Sequence, residues 1–156
     1  EVRGPNVFKG YWRMPEKTAE EFRNDGFFIT GDLGHIDKDG YLHIVGRDKD
    51  LVISGGYNIY PKEIELQIDA LSGVIESAVI GLPHDDFGEA VTAVVVLAPN
   101  APLQEVDIKA QIAVDLAKYK QPKRVLIVDV LPHNTMGKVM KNELRNFYAG
   151  LYQKIK

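Results

Sequence analysis

Apolar positions recur with a helical period in three places along the chain and crowd into strand-length runs between them. From Pro61, residues Ile64, Ile68 and Leu71 fall three and four apart, with Glu63 in the first turn, and predict a helix. Ile108, Ile112, Leu116 and Tyr119 share one face of a second helix, and Met140, Leu144, Phe147, Leu151 and Ile155 form one stripe of a last. The intervening apolar runs, Ser77 to Leu82, Ala90 to Ala98 and Val125 to Val130, have the length of strands, and "PHDDFGE" joins the first two. Residues 50–156 therefore predict an α+β fold, a small three-stranded sheet packed by helices.

The first 46 residues have another texture. Val2, Val7 and Phe8 are isolated apolar points among Gly and Pro. "MPEKTAEEF" reads as a short helix with Pro15 in its first turn and Ala19 and Phe22 on one side. Phe27 to Thr30 and Tyr41 to Val45 are strand-like, with hairpin chemistry from Asp37 to Gly40. This segment reads as small and mostly β. The charged break "GRDKD" follows, then "LVISGGYNIYP" as strand, Gly-Gly turn, strand. A division is expected near Asp48 to Asp50, separating 1–48 from 49–156, although on composition the break also reads as an exposed turn. "EVRGPNVFKGYW" opens without methionine and reads as the middle of a longer protein.

Composition narrows the function. The 156 residues are 45% hydrophobic and 26% charged, with a net charge of −3, so no basic field points to nucleic acid or an anionic membrane. No apolar run reaches the roughly 20 residues of a membrane span. Cysteine is absent, which excludes disulfides, thiolate catalysis and thiolate-bound metals and suits a cytoplasmic protein. His35, His43, His84 and His133 lack metal-ligand spacing, and Asp85 and Asp86 beside His84 read as a solvated acidic loop.

Taken singly, the remaining polar positions leave their roles open. Asp32 in "TGDLG" presents two acceptor oxygens suited to a sugar diol, and equally suits a turn cap. Arg47 can fork onto a phosphate, carboxylate or ribose hydroxyl, or form an exposed ion pair. "SGGYN", Ser54 to Asn58, lacks the Gly-Lys-Ser/Thr of a P-loop; its glycines let backbone approach a ligand, or make a hairpin turn. Lys118, Lys120, Lys123 and Arg124 form a basic cluster, either a solvated helix end or a seat for an anionic tail. Lys138 follows Gly137 just ahead of a helix. The helix dipole disfavours a cation there, so a lysine in this place points to a mobile charge aimed at a phosphate or carboxylate oxygen.

The order of these segments is more specific than any one of them. "GYWRMPEKTAEEF", "DGFFITGDLG", "DGYLHIVGRDKDLVISGGYNIYPKEIE", "ESAVIGLPHDDFGE" and "LPHNTMGKVMKNEL" together resemble the C-terminal end of the acyl-CoA synthetases. These belong to the adenylate-forming superfamily, with firefly luciferase and peptide-synthetase adenylation domains. "GPNVFKGYWRMPEKT" and "NTMGKVMKN" are most similar to the malonyl-CoA synthetases, or malonate–CoA ligases. The resemblance implies a terminal β segment of a large N-terminal domain over 1–48 and a mobile C-terminal domain over 49–156. It implies an AMP-forming acid–thiol ligase with ATP, CoA and a carboxylic acid as substrates, malonate or methylmalonate among them. Mg²⁺ would be held mainly by the N-terminal domain, which this chain lacks and without which it would be inactive.

Residue by residue, the resemblance makes Lys138 the catalytic lysine, Asp32 the ligand of the ribose hydroxyls, Arg47 a second nucleotide contact and Lys49 the hinge. Ser54, Gly55 and Gly56 would line the pantetheine channel. A protein lysine acetyltransferase and a deacetylase acting on Lys138 are implied partners. The alternatives are another adenylate-forming enzyme (a medium-chain, long-chain or aryl ligase, or a peptide-synthetase domain) and a non-catalytic interaction module.

Overall fold

In the computed structural model, which describes residues 1–153, the chain divides into two compact units, Glu1–Lys49 and one beginning at Asp50. In the first, helix α1 (Pro15–Glu21) carries Pro15 in its first turn, where the missing N–H costs nothing. An antiparallel hairpin follows, β1 (Asp32–Ile36) and β2 (Leu42–Arg47), turned by Asp37 to Gly40. The Asp37 carboxylate accepts the N–H groups of Asp39 and Tyr41 at 2.9 Å each, which closes the turn. Phe8 gathers Tyr11, Phe22 and Phe28 edge-on, with ring centroids 5.1–5.3 Å away. Even so, no residue of this unit is fully buried.

The second unit is a five-stranded sheet covered on both faces. Hairpin β3 (Val52–Ser54) and β4 (Tyr57–Ile59) leads into α2 (Pro61–Asp69). The long strands β5 (Val74–His84) and β6 (Gly88–Leu97) pair antiparallel. α3 (Glu105–Ile112) then crosses to β7 (Arg124–Val128), which pairs parallel with β6, and α4 (Lys141–Phe147) closes the unit. On one face, Ile64 and Ile68 of α2 and Ile108 and Ile112 of α3 pack on Val79, Val91, Ala93 and Val95. On the other, Leu144 of α4 and Leu131 pack on Ala78, Ile80, Leu82, Val94 and Val96. Two covered faces explain why the central strands read as continuous apolar runs rather than alternating ones. Among the described residues, no helix is long and apolar enough to cross a membrane.

The α+β class agrees with the sequence pattern, but three details differ. The sheet has five strands instead of three because β3 joins β6 through the Ser54–Gly88 pair, bringing β4 with it. The second helix ends at Ile112. Tight turns then keep Leu116 buried, Gln121 Nε2 donates to the Leu116 carbonyl, and Tyr119 swings out to stack on Tyr57 at 4.5 Å. In the last helix Leu144 is buried but Phe147 is 81% exposed; the inward face continues through Tyr148 and Leu151 instead. Ile155, expected on that stripe, lies outside the described residues.

Candidate functional site

Phe27 to Thr30 was expected as a strand, yet Phe28 makes only isolated bridges to Val2 and Phe22, and β1 starts later, at Asp32. The shift sets the first residue of β1 opposite the last residue of β2: Asp32 and Arg47 are register partners. Arg47 Nε lies 2.9 Å from Asp32 Oδ1. The Asp32 N–H donates to Thr30 Oγ1 at 3.1 Å, and Asp32 is the first residue of β1. Both side chains reach solvent, at 58% and 28% exposure, and an exposed pair of this kind contributes at most about 1 kcal/mol to stability.

Asp32 and Arg47 line a cavity of about 500 Å³ together with Tyr11, Lys17, Glu21 and Lys49. Three cations and two carboxylates meet there. The Tyr11 hydroxyl donates to Glu21, and Lys17 Nζ sits 3.2 Å from Glu21 one helical turn away. Glu21 is held below the usual carboxylate range, first by the Tyr11 hydrogen bond, then by Lys17, with Lys49 acting in the same direction. The Tyr11 hydroxyl is pushed up, chiefly by its bond to Glu21. Sequence reasoning passed over Tyr11, Lys17 and Glu21. The i,i+4 spacing of Lys17 and Glu21 was a readable signal; Tyr11 offered none.

Lys49 is the middle residue of a single 3₁₀ turn, Asp48–Asp50. On one side, the Asp48 N–H donates to the Gly31 carbonyl at 3.0 Å, within the first unit. On the other, Asp50 Oδ1 accepts from Arg145 of α4 at 2.8 Å, within the second. Both neighbours of Lys49 are thus tied, Asp48 by its backbone N–H and Asp50 by its side-chain carboxylate.

The Gly55–Gly56 turn joins β3 to β4 with φ of +57° and +82°, the paired positive values of a tight hairpin turn. A Cβ on Gly56 would meet nothing within 4 Å, so backbone conformation, not crowding, demands glycine there. Ser54 is buried in the sheet, while both glycines are exposed.

Lys138 lies in the second unit, and its loop is more ordered than a mobile cation requires. Asn134 takes most of the available bonds: its N–H donates to the Lys138 carbonyl, its carbonyl accepts from Gly137, and its side-chain Oδ1 accepts from the N–H groups of Met136 and Lys138, all at 2.9 Å. Gly137 turns the chain at φ +75°. His133 Nε2 lies 3.0 Å from Glu76 Oε2 of β5. Beyond the loop, Lys141 Nζ lies 2.6 Å from the buried Glu65 of α2. That contact also answers the poor placement of a cation in the first turn of α4. Lys138 itself is exposed, and among the described residues its ammonium enters no ion pair. The basic cluster, by contrast, is largely partnered: Lys120 with Glu63 at 2.6 Å, Arg124 with Glu105 at 3.1 Å, and Lys123 over the Phe87 ring.

Residues 63–138, ending on Lys138, match the family of AMP-binding enzyme C-terminal domains. The chain is 48% identical over 148 residues to a feruloyl-CoA synthase from Amycolatopsis sp, covering 95% of this chain and 30% of that protein. It is 44% identical over 153 residues to the long-chain-fatty-acid–CoA ligase FadD13 from Mycobacterium tuberculosis, covering 98% and 30%. Among solved structures, ATP-bound MatB from Rhodopseudomonas palustris matches with a TM-score of 0.87 at 64% identity, over 97% of this chain and 30% of that one. The chain thus spans about 30% of the length of these relatives. In sequence and in fold, the second unit of the chain belongs to the AMP-binding enzyme C-terminal domain family.

Proposed function

We propose that the chain is the C-terminal part of an AMP-forming acyl-CoA synthetase that activates a short dicarboxylic acid, malonate or methylmalonate. In this reading the acid attacks the α-phosphate of ATP to give acyl-AMP and pyrophosphate, and the CoA thiol then displaces AMP. The cross-strand Asp32–Arg47 pair carries the reading: an exposed ion pair adding little stability, on a cavity shared with Lys49, in a chain 64% identical to ATP-bound MatB. The choice of acid rests on that identity and on the likeness of "GPNVFKGYWRMPEKT" and "NTMGKVMKN" to malonyl-CoA synthetases; relatives named for feruloyl and fatty acyl groups are less similar.

The roles follow from chemistry. The Asp32 carboxylate accepts from the ribose hydroxyls, and Arg47 stays beside it as a cation facing the nucleotide. Lys138, an exposed charge on a firm loop, neutralises the repulsion between the incoming carboxylate and the α-phosphate as negative charge builds. Lys49 is the pivot that carries Lys138 in for the first step and away for the second. Gly55 and Gly56, with no side chains, leave room for the pantetheine arm.

The test is Lys138→Ala in the full-length parent. Pyrophosphate formation from ATP and malonate should fall about 10²–10³-fold, while thioester formation from supplied acyl-AMP stays near wild type. Equal damage to both half-reactions would make the lysine structural. A parent that shows no malonate-dependent pyrophosphate release would overturn the substrate assignment.

A further inference from the structure

We infer that Asn134 is a positioning residue for Lys138, and that the loop carrying the lysine is a preformed arm instead of a flexible tether. The inference rests on the role proposed for Lys138, but its evidence is separate. One side-chain oxygen, Asn134 Oδ1, holds two backbone N–H groups at 2.9 Å, and one of them belongs to Lys138. The backbone of Asn134 supplies two more bonds, to Gly137 and Lys138, so a single residue organises the turn from both sides. His133 bridges Val139 across the base of the loop, and the Met140 N–H donates to the Pro132 carbonyl at 2.8 Å. Outside this small hairpin, His133 is tied to Glu76 on β5 and Lys141 to Glu65 on α2. The Lys138 Cα is therefore fixed to the sheet, and only its side chain is left to search.

This matters because reaction demands placement within fractions of an ångström. A misplacement of about 1 Å in a positioned group can cost on the order of 100-fold in rate. Removing the Asn134 amide frees two N–H groups at exposed positions, where water satisfies them, so global stability changes little. The loss falls on where Lys138 points. A carboxylate at position 134 presents the same acceptor geometry and keeps the arm.

The experiment compares wild type, Asn134→Ala, Asn134→Asp and Lys138→Ala in the full-length parent, with the two half-reactions measured apart. Asn134→Ala should lower kcat for pyrophosphate formation about 100-fold with little change in the KM for ATP or acid, and should leave thioester formation from supplied acyl-AMP within about twofold. Asn134→Asp should recover most of the lost rate. In the 156-residue chain itself, the Met136 and Lys138 amides should exchange with solvent faster in Asn134→Ala than in wild type. The inference is overturned if Asn134→Ala adenylates at the wild-type rate, if both half-reactions fall together, if Asn134→Asp is no better than Asn134→Ala, or if amide exchange is unchanged. Those outcomes remain distinct from failure of the functional reading, in which the wild-type parent and Lys138→Ala would make pyrophosphate alike.

Discussion

Glu65 offers the sharpest test of how the second unit is held together. It is a nearly buried carboxylate, its side chain 8% exposed, and Oε1 meets both the Val79 N–H at 2.9 Å and Lys141 Nζ at 2.6 Å. It thereby joins α2 to the long edge strand β5 and to the start of α4. Glu65→Ala would orphan a buried backbone donor and strip the partner from a largely covered cation. Breaking a buried ion pair from one side costs about 3–5 kcal/mol. Because the Lys141 side chain keeps 17% of its surface exposed and can turn toward water, the lower end, about 3 kcal/mol, is expected. Glu65→Gln keeps an acceptor for Val79 and loses only the charge, so about 1.5 kcal/mol is expected. The assay is urea unfolding of the chain followed by far-UV circular dichroism; tryptophan fluorescence is unsuitable because the single Trp12 belongs to the first unit and is 84% exposed. Combining Glu65→Ala with Lys141→Met completes a double-mutant cycle, and the two sites should couple by at least about 1 kcal/mol. A loss below about 1 kcal/mol for Glu65→Ala, or additive single mutants, would refute the clamp.

Three further outcomes are expected. Lys49→Pro in the full-length parent should trap one domain orientation, since proline fixes φ and restricts Asp48 before it, whereas Lys49→Ala leaves the torsions free; one half-reaction should collapse in the proline variant alone, and equal damage from both variants would remove the hinge role. Amide hydrogen exchange on this chain should be fast through Glu1–Lys49, which has no fully buried residue, and slow through β5 and β6; comparable protection in the two would contradict the account of the first unit. Acetylation of Lys138 by a protein lysine acetyltransferase should abolish pyrophosphate formation by the parent, and a deacetylase should restore it, because the modification removes the charge; mass spectrometry finding the acetyl group only elsewhere would sink the prediction.

Short-range features were legible without coordinates. The spacing of Ile64 and Ile68 reflects a helix laid on a sheet, and both are fully buried. Gly55–Gly56 and Asp37–Gly40 turn the chain through local backbone preferences and local hydrogen bonds, which a few adjacent residues encode. Helix ends were less legible. The pattern that includes Leu116 and Tyr119 continues past Ile112 because apolar spacing does not register where turns tighten, and Phe147 falls on a helical period yet stays exposed, its ring edge-on to the neighbouring Tyr148.

The candidate site needed the tertiary structure. Asp32 and Arg47 looked like two weak, separate signals until strand register, offset by a bulge between Leu33 and Gly34, set them face to face. Lys138 stood out in the sequence by its awkward charge ahead of a helix, but the firmness of its loop depends on Glu76, 57 residues away in the chain, and on Glu65 in a different helix. The sequence by itself determined most of the helices, strands and turns, because those choices are made largely among neighbours a few residues apart; it missed at Phe27 to Thr30 and past Ile112. Which side chains meet across strands and layers was decided by register and packing, where burial of the whole apolar set selects one alignment and every polar contact follows from it.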